Sequence, residues 1–133
     1  MIASRMGVNF LLTSCAIFGT LRFVKDIIWD KSAKKVVRGF SLEVRKEIGS
    51  LLMLLQQGSV LGAPQAKPMR QVGASVFELR VKDSAGIYRV FYVLFSKKTI
   101  LIPHAFTKKT QKTPQKEIET AKKRLRRLID ETE

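Results

Sequence analysis

The spacing of apolar residues changes along this chain, and each change marks an element. Between Val76 and Phe106 the pattern is a meander of three antiparallel strands. In the first, Phe77, Leu79 and Val81 alternate with Glu78, Arg80 and Lys82, the period of a half-buried strand. A turn at Asp83–Gly86 leads to Ile87–Phe95, which is apolar on both faces except at Arg89, as a covered central strand should be. A tight turn at Ser96–Lys98 then opens the third strand. Upstream, Leu21–Trp29 predicts a further strand anchored by Phe23, Ile27, Ile28 and Trp29.

Between these strands the period becomes helical. Asp30 is placed to cap a helix from Lys31 to Phe40, whose Ala33, Val36, Val37 and Phe40 share one face. Ser41 can cap a second helix to about Gln57, with Val44, Ile48, Leu51, Leu52 and Leu55 inward and Gly58 as its stop. The two make an α-hairpin suited to one face of the sheet. Ser59–Gln71, with Gly62, Pro64 and Pro68, reads as a loop carrying Lys67 and Arg70. Thr113 as cap and Pro114 as first residue open a last helix to about Asp130. Its Ile118, Ala121, Leu125, Leu128 and Ile129 face inward, opposite Lys122, Lys123, Arg124, Arg126 and Arg127.

Arg89 is the exception in this pattern, a cation in the best-buried strand. A buried cation is costly unless paired or facing an open groove. Two readings follow: a salt bridge to Glu78 across the hairpin, or an anion site.

Composition narrows the chemistry. A chain of 133 residues, 45% apolar and 27% charged, predicts one soluble domain with a real core. One cysteine, Cys15, excludes an internal disulfide framework, and with one histidine, His104, no Cys/His zinc site can be built. A Ser-His-Asp or Cys-His arrangement would have to use His104 and lacks a local signature. The net charge of +14 implies a polyanionic partner, beyond what solubility needs. The excess is +1 over residues 1–30, +9 over 31–103 and +4 over 104–133, so it belongs to the folded body and not to a tail.

Gly7–Phe18 is apolar but too short to span a bilayer. Leu12–Cys15 loosely matches a lipoprotein cleavage box, yet the preceding segment has one charge and a short apolar run. Residues 1–20 therefore read as a packed or poorly ordered extension of a cytoplasmic domain over 21–133, with no membrane partner.

Phe77–Arg80, Gly86–Tyr92, His104–Pro114, Glu117–Glu119 and Ala121–Arg124, in that order and spacing, resemble the RelE/ParE toxin superfamily, most closely its phage-derived HigB-like branch. The resemblance covers roughly residues 22–130, and the run from Lys108 to Pro114 is its sharpest part. It implies an α+β fold: an antiparallel sheet of about four strands, an N-terminal helical hairpin on one face and a C-terminal helix. It also implies a type II toxin that cleaves mRNA on the ribosome, neutralised by a cognate helix-turn-helix antitoxin, with no small-molecule cofactor and no metal.

RNA cleavage without metal uses the 2′-OH against the adjacent phosphate, and fixed cations stabilise the charge that gathers on its oxygens. By motif position Arg80 and Arg89 match the strand cations of the RelE-like active site. Lys108 and Lys109 fall in the cationic segment after the last strand. Lys67, Arg70, Tyr88 and Lys112 are placed to bind RNA. The base is either a lysine with a lowered pKa or His104, which otherwise is a satisfied strand-end histidine. One departure stands out. RelE-like toxins often carry a stacking aromatic near the C-terminus, and here none follows Phe106, which leaves Tyr88, Tyr92 or Phe106 for that task. Two other readings are a ParE-like DNA gyrase poison and a non-catalytic RNA- or ribosome-binding module.

Overall fold

Asp30 joins the first strand to the first helix. β1 (Asp26–Trp29) passes directly into α1 (Lys31–Arg38), and Asp30 Oδ2 accepts from the backbone N–H groups of Ser32 and Ala33 at 2.9 and 3.1 Å. The structure, a computed structural model, describes residues 24–108 and 112–132. α2 (Leu42–Gln56) starts under a Ser41 cap whose Oγ accepts from Val44 N–H. It ends at Gly58, which has φ 96°, with Ser59 N–H returning to the Leu54 carbonyl. Only glycine takes that backbone conformation without strain.

β2 (Ala66–Pro68), β3 (Val76–Lys82), β4 (Ile87–Leu94), β5 (Thr99–Lys108) and α3 (Gln115–Thr132) complete the chain. The strands form one sheet in the order β1-β5-β4-β3-β2. The α+β class, the meander, the helical hairpin and the last helix are as expected, but the sheet differs in two ways. It has five strands and not about four, because Ala66–Pro68, inside the expected loop, pairs with Phe77–Leu79. Pro68 lacks an N–H, which suits this short segment to the edge. The sheet is also mixed: β1 runs parallel to β5. β1 begins at Asp26, and the rest of the expected Leu21–Trp29 strand up to Phe23 lies outside the described residues.

β5 is interior yet contains Pro103. A bulge accommodates it: Phe91 pairs with His104 and Val93 with Leu101, so Ile102 and Pro103 together oppose Tyr92.

The hairpin packs Ala33, Val37, Ile48, Leu52 and Leu55 against Leu79, Val90, Tyr92, Ile100 and Ile102. On the other face α3 packs Ile118, Ala121, Leu125 and Leu128 against Phe91, Val93, Leu101 and Phe106. Each fully buried large apolar side chain contributes about 1.5–3 kcal/mol, which fixes α3 over the sheet. The start of α3 differs in detail from expectation. The Pro114 carbonyl accepts from Glu117 and Ile118 N–H, while the Thr113 hydroxyl is engaged with side chains of the sheet. Among the described residues no helix is long and apolar enough to cross a membrane. The expectations for residues 1–20 and Cys15 lie outside the described residues.

Candidate functional site

Strand register decides which candidate side chains meet. Lys67 lies opposite Glu78, Arg80 opposite Arg89, and Lys108 opposite Ile87. Directly opposed residues, and residues two apart on one strand, share a face. Lys67, Glu78, Arg80, Arg89 and Lys108 therefore all lie on the face that α3 covers in part.

Glu78 is the hub. It is 1% exposed, as is Arg89, and its Oε1 accepts from Arg89 Nη1 at 3.0 Å. Its Oε2 accepts from Thr113 Oγ1 at 2.6 Å, and Thr113 Oγ1 in turn accepts from Lys108 Nζ at 3.2 Å. The ion-pair reading of Arg89 is thus realised. Its Nε is nevertheless buried with no hydrogen-bond partner among the described residues. Lys108 is buried too, and its pKa is lowered, first by burial and then by Arg89, Arg80 and Lys67, with Glu78 opposing.

Partners of Glu78 line two grooves. One, of about 560 Å³, has Lys67, Gln71, Lys112 and Thr113 in its walls. The other, of about 290 Å³, has Gln65, Arg80, Lys82 and Arg89. Lys67 and Lys112 thus line one groove. Arg70 is exposed in the connection after β2, outside the larger groove. Lys109 lies outside the described residues.

Two expectations need correction. Tyr88 is adjacent to Arg89 on a strand and therefore points to the opposite face. Its ring packs 4.7 Å from Phe40 on the hairpin side, away from the cations. Tyr92 and Phe106 are buried in the two cores, so none of the three aromatics is free to stack on a base at the cluster. His104 shares the face of Arg89, but both its ring nitrogens are engaged. Nδ1 faces Arg124 Nη1 at 2.9 Å and Nε2 faces Glu117 Oε1 at 2.7 Å. An arginine can only donate, so Nδ1 accepts and Nε2–H donates to the carboxylate. Burial lowers the His104 pKa, and the ring is a neutral, satisfied strand histidine.

Sequence reasoning missed Thr113 as the link between Lys108 and Glu78, reading it as a cap. It also missed that Asp30, besides capping α1, accepts from Arg127 Nη2 at 2.7 Å and lies 3.8 Å from Arg124 Nε. These contacts join residues far apart in sequence, and no local pattern reports them. Among the described residues no group of three or more His, Cys, Asp or Glu side chains is arranged to hold a metal.

Comparison with known families matches residues 35–126 to the phage-derived protein Gp49-like family (DUF891). The chain belongs to that family. The phage-derived affiliation expected from the chain's motifs therefore holds. Its fold is similar to that of a free-state arginine-to-alanine double mutant of the E. coli toxin RelE, with TM-score 0.55, 16% identity, and coverage of 80% of this chain and 99% of that one. The isolated E. coli RelE toxin also matches, with TM-score 0.45, 16% identity, and coverage of 77% and 96%. The RelBE2 toxin–antitoxin complex of Mycobacterium tuberculosis matches with TM-score 0.41, 18% identity, and coverage of 66% and 95%. No curated protein matches the chain.

Proposed function

We propose that this Gp49-like protein is the toxin of a type II toxin–antitoxin pair, and that it cuts mRNA on the ribosome as a metal-independent endoribonuclease. The observation that carries the reading is the gathering of Lys67, Arg80, Arg89 and Lys108 around the Glu78 carboxylate, between two open grooves, the smaller of which Glu47 also lines. Lys67, Arg80 and Arg89 outnumber Glu78 and Glu47, so the cluster stays positive with Lys108 neutral as a base. A structural ion pair needs one cation, and the surplus suits an anion that arrives from outside.

In the proposed reaction the 2′-oxygen bonds to the neighbouring phosphorus while the bond from phosphorus to the 5′-oxygen breaks. One proton leaves the 2′-OH and one reaches the departing 5′-oxygen. Arg80 and Lys67 contact the phosphoryl oxygens, and Arg89, buried behind them, adds its charge to the site. Such donors are most useful when aimed at charge that develops only in the transition state. Lys108 takes the 2′-OH proton. Its lowered pKa supports that assignment, whereas both ring nitrogens of His104 are already occupied. Glu78 holds Arg89 and Thr113 in place and is a positioning residue. The site is then cytoplasmic by its substrate, and a cognate helix-turn-helix antitoxin would cover the grooves.

The test is primer extension on mRNA bound to purified ribosomes, with analysis of the new ends. Cleavage that needs the ribosome and leaves 2′,3′-cyclic phosphates is the expected result. Ribosome-bound mRNA left intact, with thymidine incorporation failing before amino-acid incorporation in cells, would overturn the reading in favour of a gyrase poison.

A further inference from the structure

Thr113 stands between a buried lysine and the open groove. Lys108 is 3% exposed and, among the described residues, lines neither groove, whereas Thr113 forms part of the wall of the larger one. A 2′-OH entering that groove therefore meets the Thr113 hydroxyl before it meets Lys108 Nζ. The hydroxyl is fixed on both sides: Oγ1 accepts from Lys108 Nζ at 3.2 Å and donates to Glu78 Oε2 at 2.6 Å. Backbone chemistry holds the residue as well. A residue before proline is confined to extended conformations, and a β-branched side chain has few rotamers. Pro114 leads straight into α3, which Ile118 anchors in the core. The hydroxyl is not used for capping, because the N–H groups of Glu117 and Ile118 go to the Pro114 carbonyl.

We propose that Thr113 relays the 2′-OH proton to Lys108, an inference that rests on the proposed function and makes the Thr113 hydroxyl a catalytic group. The observed bonds are those of a charged lysine, which can only donate. A neutral Nζ has a lone pair, and the rotatable Thr113 hydroxyl then turns from Glu78 to donate to it. Oγ1 is left free to accept from the substrate. As the 2′-oxygen bonds to phosphorus, the 2′-O–H bond breaks and an Oγ1–H bond forms. In the same step the original Oγ1–H bond breaks and an Nζ–H bond forms. The two protons move together, because an alkoxide formed first, beside the buried Glu78 carboxylate, is too costly. Afterwards the hydroxyl is whole and Lys108 is an ammonium. The ammonium donates to Oγ1 and the hydroxyl returns to Glu78, which is the arrangement seen. Burial and the neighbouring cations, which lower the Lys108 pKa, favour the neutral lysine with which the step begins.

The test is the single-turnover rate of cleavage of ribosome-bound mRNA by the full chain, measured in mixtures of light and heavy water. Wild type, Thr113→Val and Thr113→Ser are compared, with a thermal melt on each. Valine keeps the shape of threonine without the hydroxyl and should slow cleavage about 10²-fold, the low end of what a proton-transfer group contributes. Serine keeps the hydroxyl and should recover most of that loss. Two protons in flight make the wild-type rate a curved function of the deuterium fraction, and Thr113→Val should straighten it. A hydroxyl that only braced the fold would lower Tm and leave the curve as it was. A folded Thr113→Val protein that cleaves at the wild-type rate would overturn the relay. So would a Thr113→Ser protein as slow as the valine variant, or a straight line for wild type. Each of these results, in a wild type that still cuts, leaves the nuclease reading standing. A wild type that never cuts ribosome-bound mRNA would defeat that reading and the relay with it.

Discussion

Removing the Glu78 carboxylate should cost this protein more stability than removing the Arg89 guanidinium. Glu78→Ala leaves Arg89, 1% exposed, without its counter-ion at 3.0 Å, and strips the Thr113 hydroxyl of its acceptor at 2.6 Å. Breaking a buried pair from one side costs about 3–5 kcal/mol, and a lost hydrogen bond adds about 1 kcal/mol. Glu78→Ala should therefore cost about 4–6 kcal/mol. Arg89→Ala leaves Glu78 still bonded to Thr113 and attracted to Lys108, so it should sit at the lower end, about 3 kcal/mol. For a domain of this size each kcal/mol shifts Tm by roughly 3–4 °C, so losses of about 15 and 10 °C are expected. Urea titration of both variants and of Glu78→Ala/Arg89→Ala gives the coupling, expected to be about 2 kcal/mol or more. Single variants that each melt within about 2 °C of wild type would refute the buried-pair argument.

Asp30→Ala removes an N-cap and the acceptor of Arg127 together, so it should cost about 2–3 kcal/mol in urea titration, where Ser41→Ala, a cap alone, should cost about 1 kcal/mol. His104 has a folded-state pKa below its ordinary 6.5, so the unfolded chain binds its proton first. Stability should therefore be fully present above about pH 6.5 and decline as pH falls through the window below it. A denaturation series from pH 7 to 5 should show that decline, and His104→Asn should flatten it.

The elements were legible because their signals are local. Asp30, Ser41 and Gly58 mark helix ends by backbone chemistry, and the alternation of Phe77–Lys82 marks a strand by itself. The shared face of Arg80 and Arg89 also follows from a short hairpin register. What escaped the sequence depends on distant partners. Ala66–Pro68 becomes a strand only because β3 offers an edge, and β1 lies parallel to β5 because the hairpin intervenes between them. Thr113 looks like a cap in sequence, yet Glu78 claims its hydroxyl across 35 positions. His104 has both ring nitrogens taken by α3, which its own strand cannot reveal. Tyr88 was misplaced for a simpler reason: neighbours on a strand point apart, so it cannot accompany Arg89.

The central claim is that the cations around Glu78 act on RNA. The most direct measurement is the single-turnover rate of cleavage of ribosome-bound mRNA by wild type and Arg80→Ala, with a thermal melt on each. Arg80 is only partly buried, so its removal should leave the fold intact. Loss of one transition-state donor should slow cleavage on the order of 10²–10³-fold, with ribosome binding retained. A well-folded Arg80→Ala protein that cleaves at the wild-type rate would contradict the account.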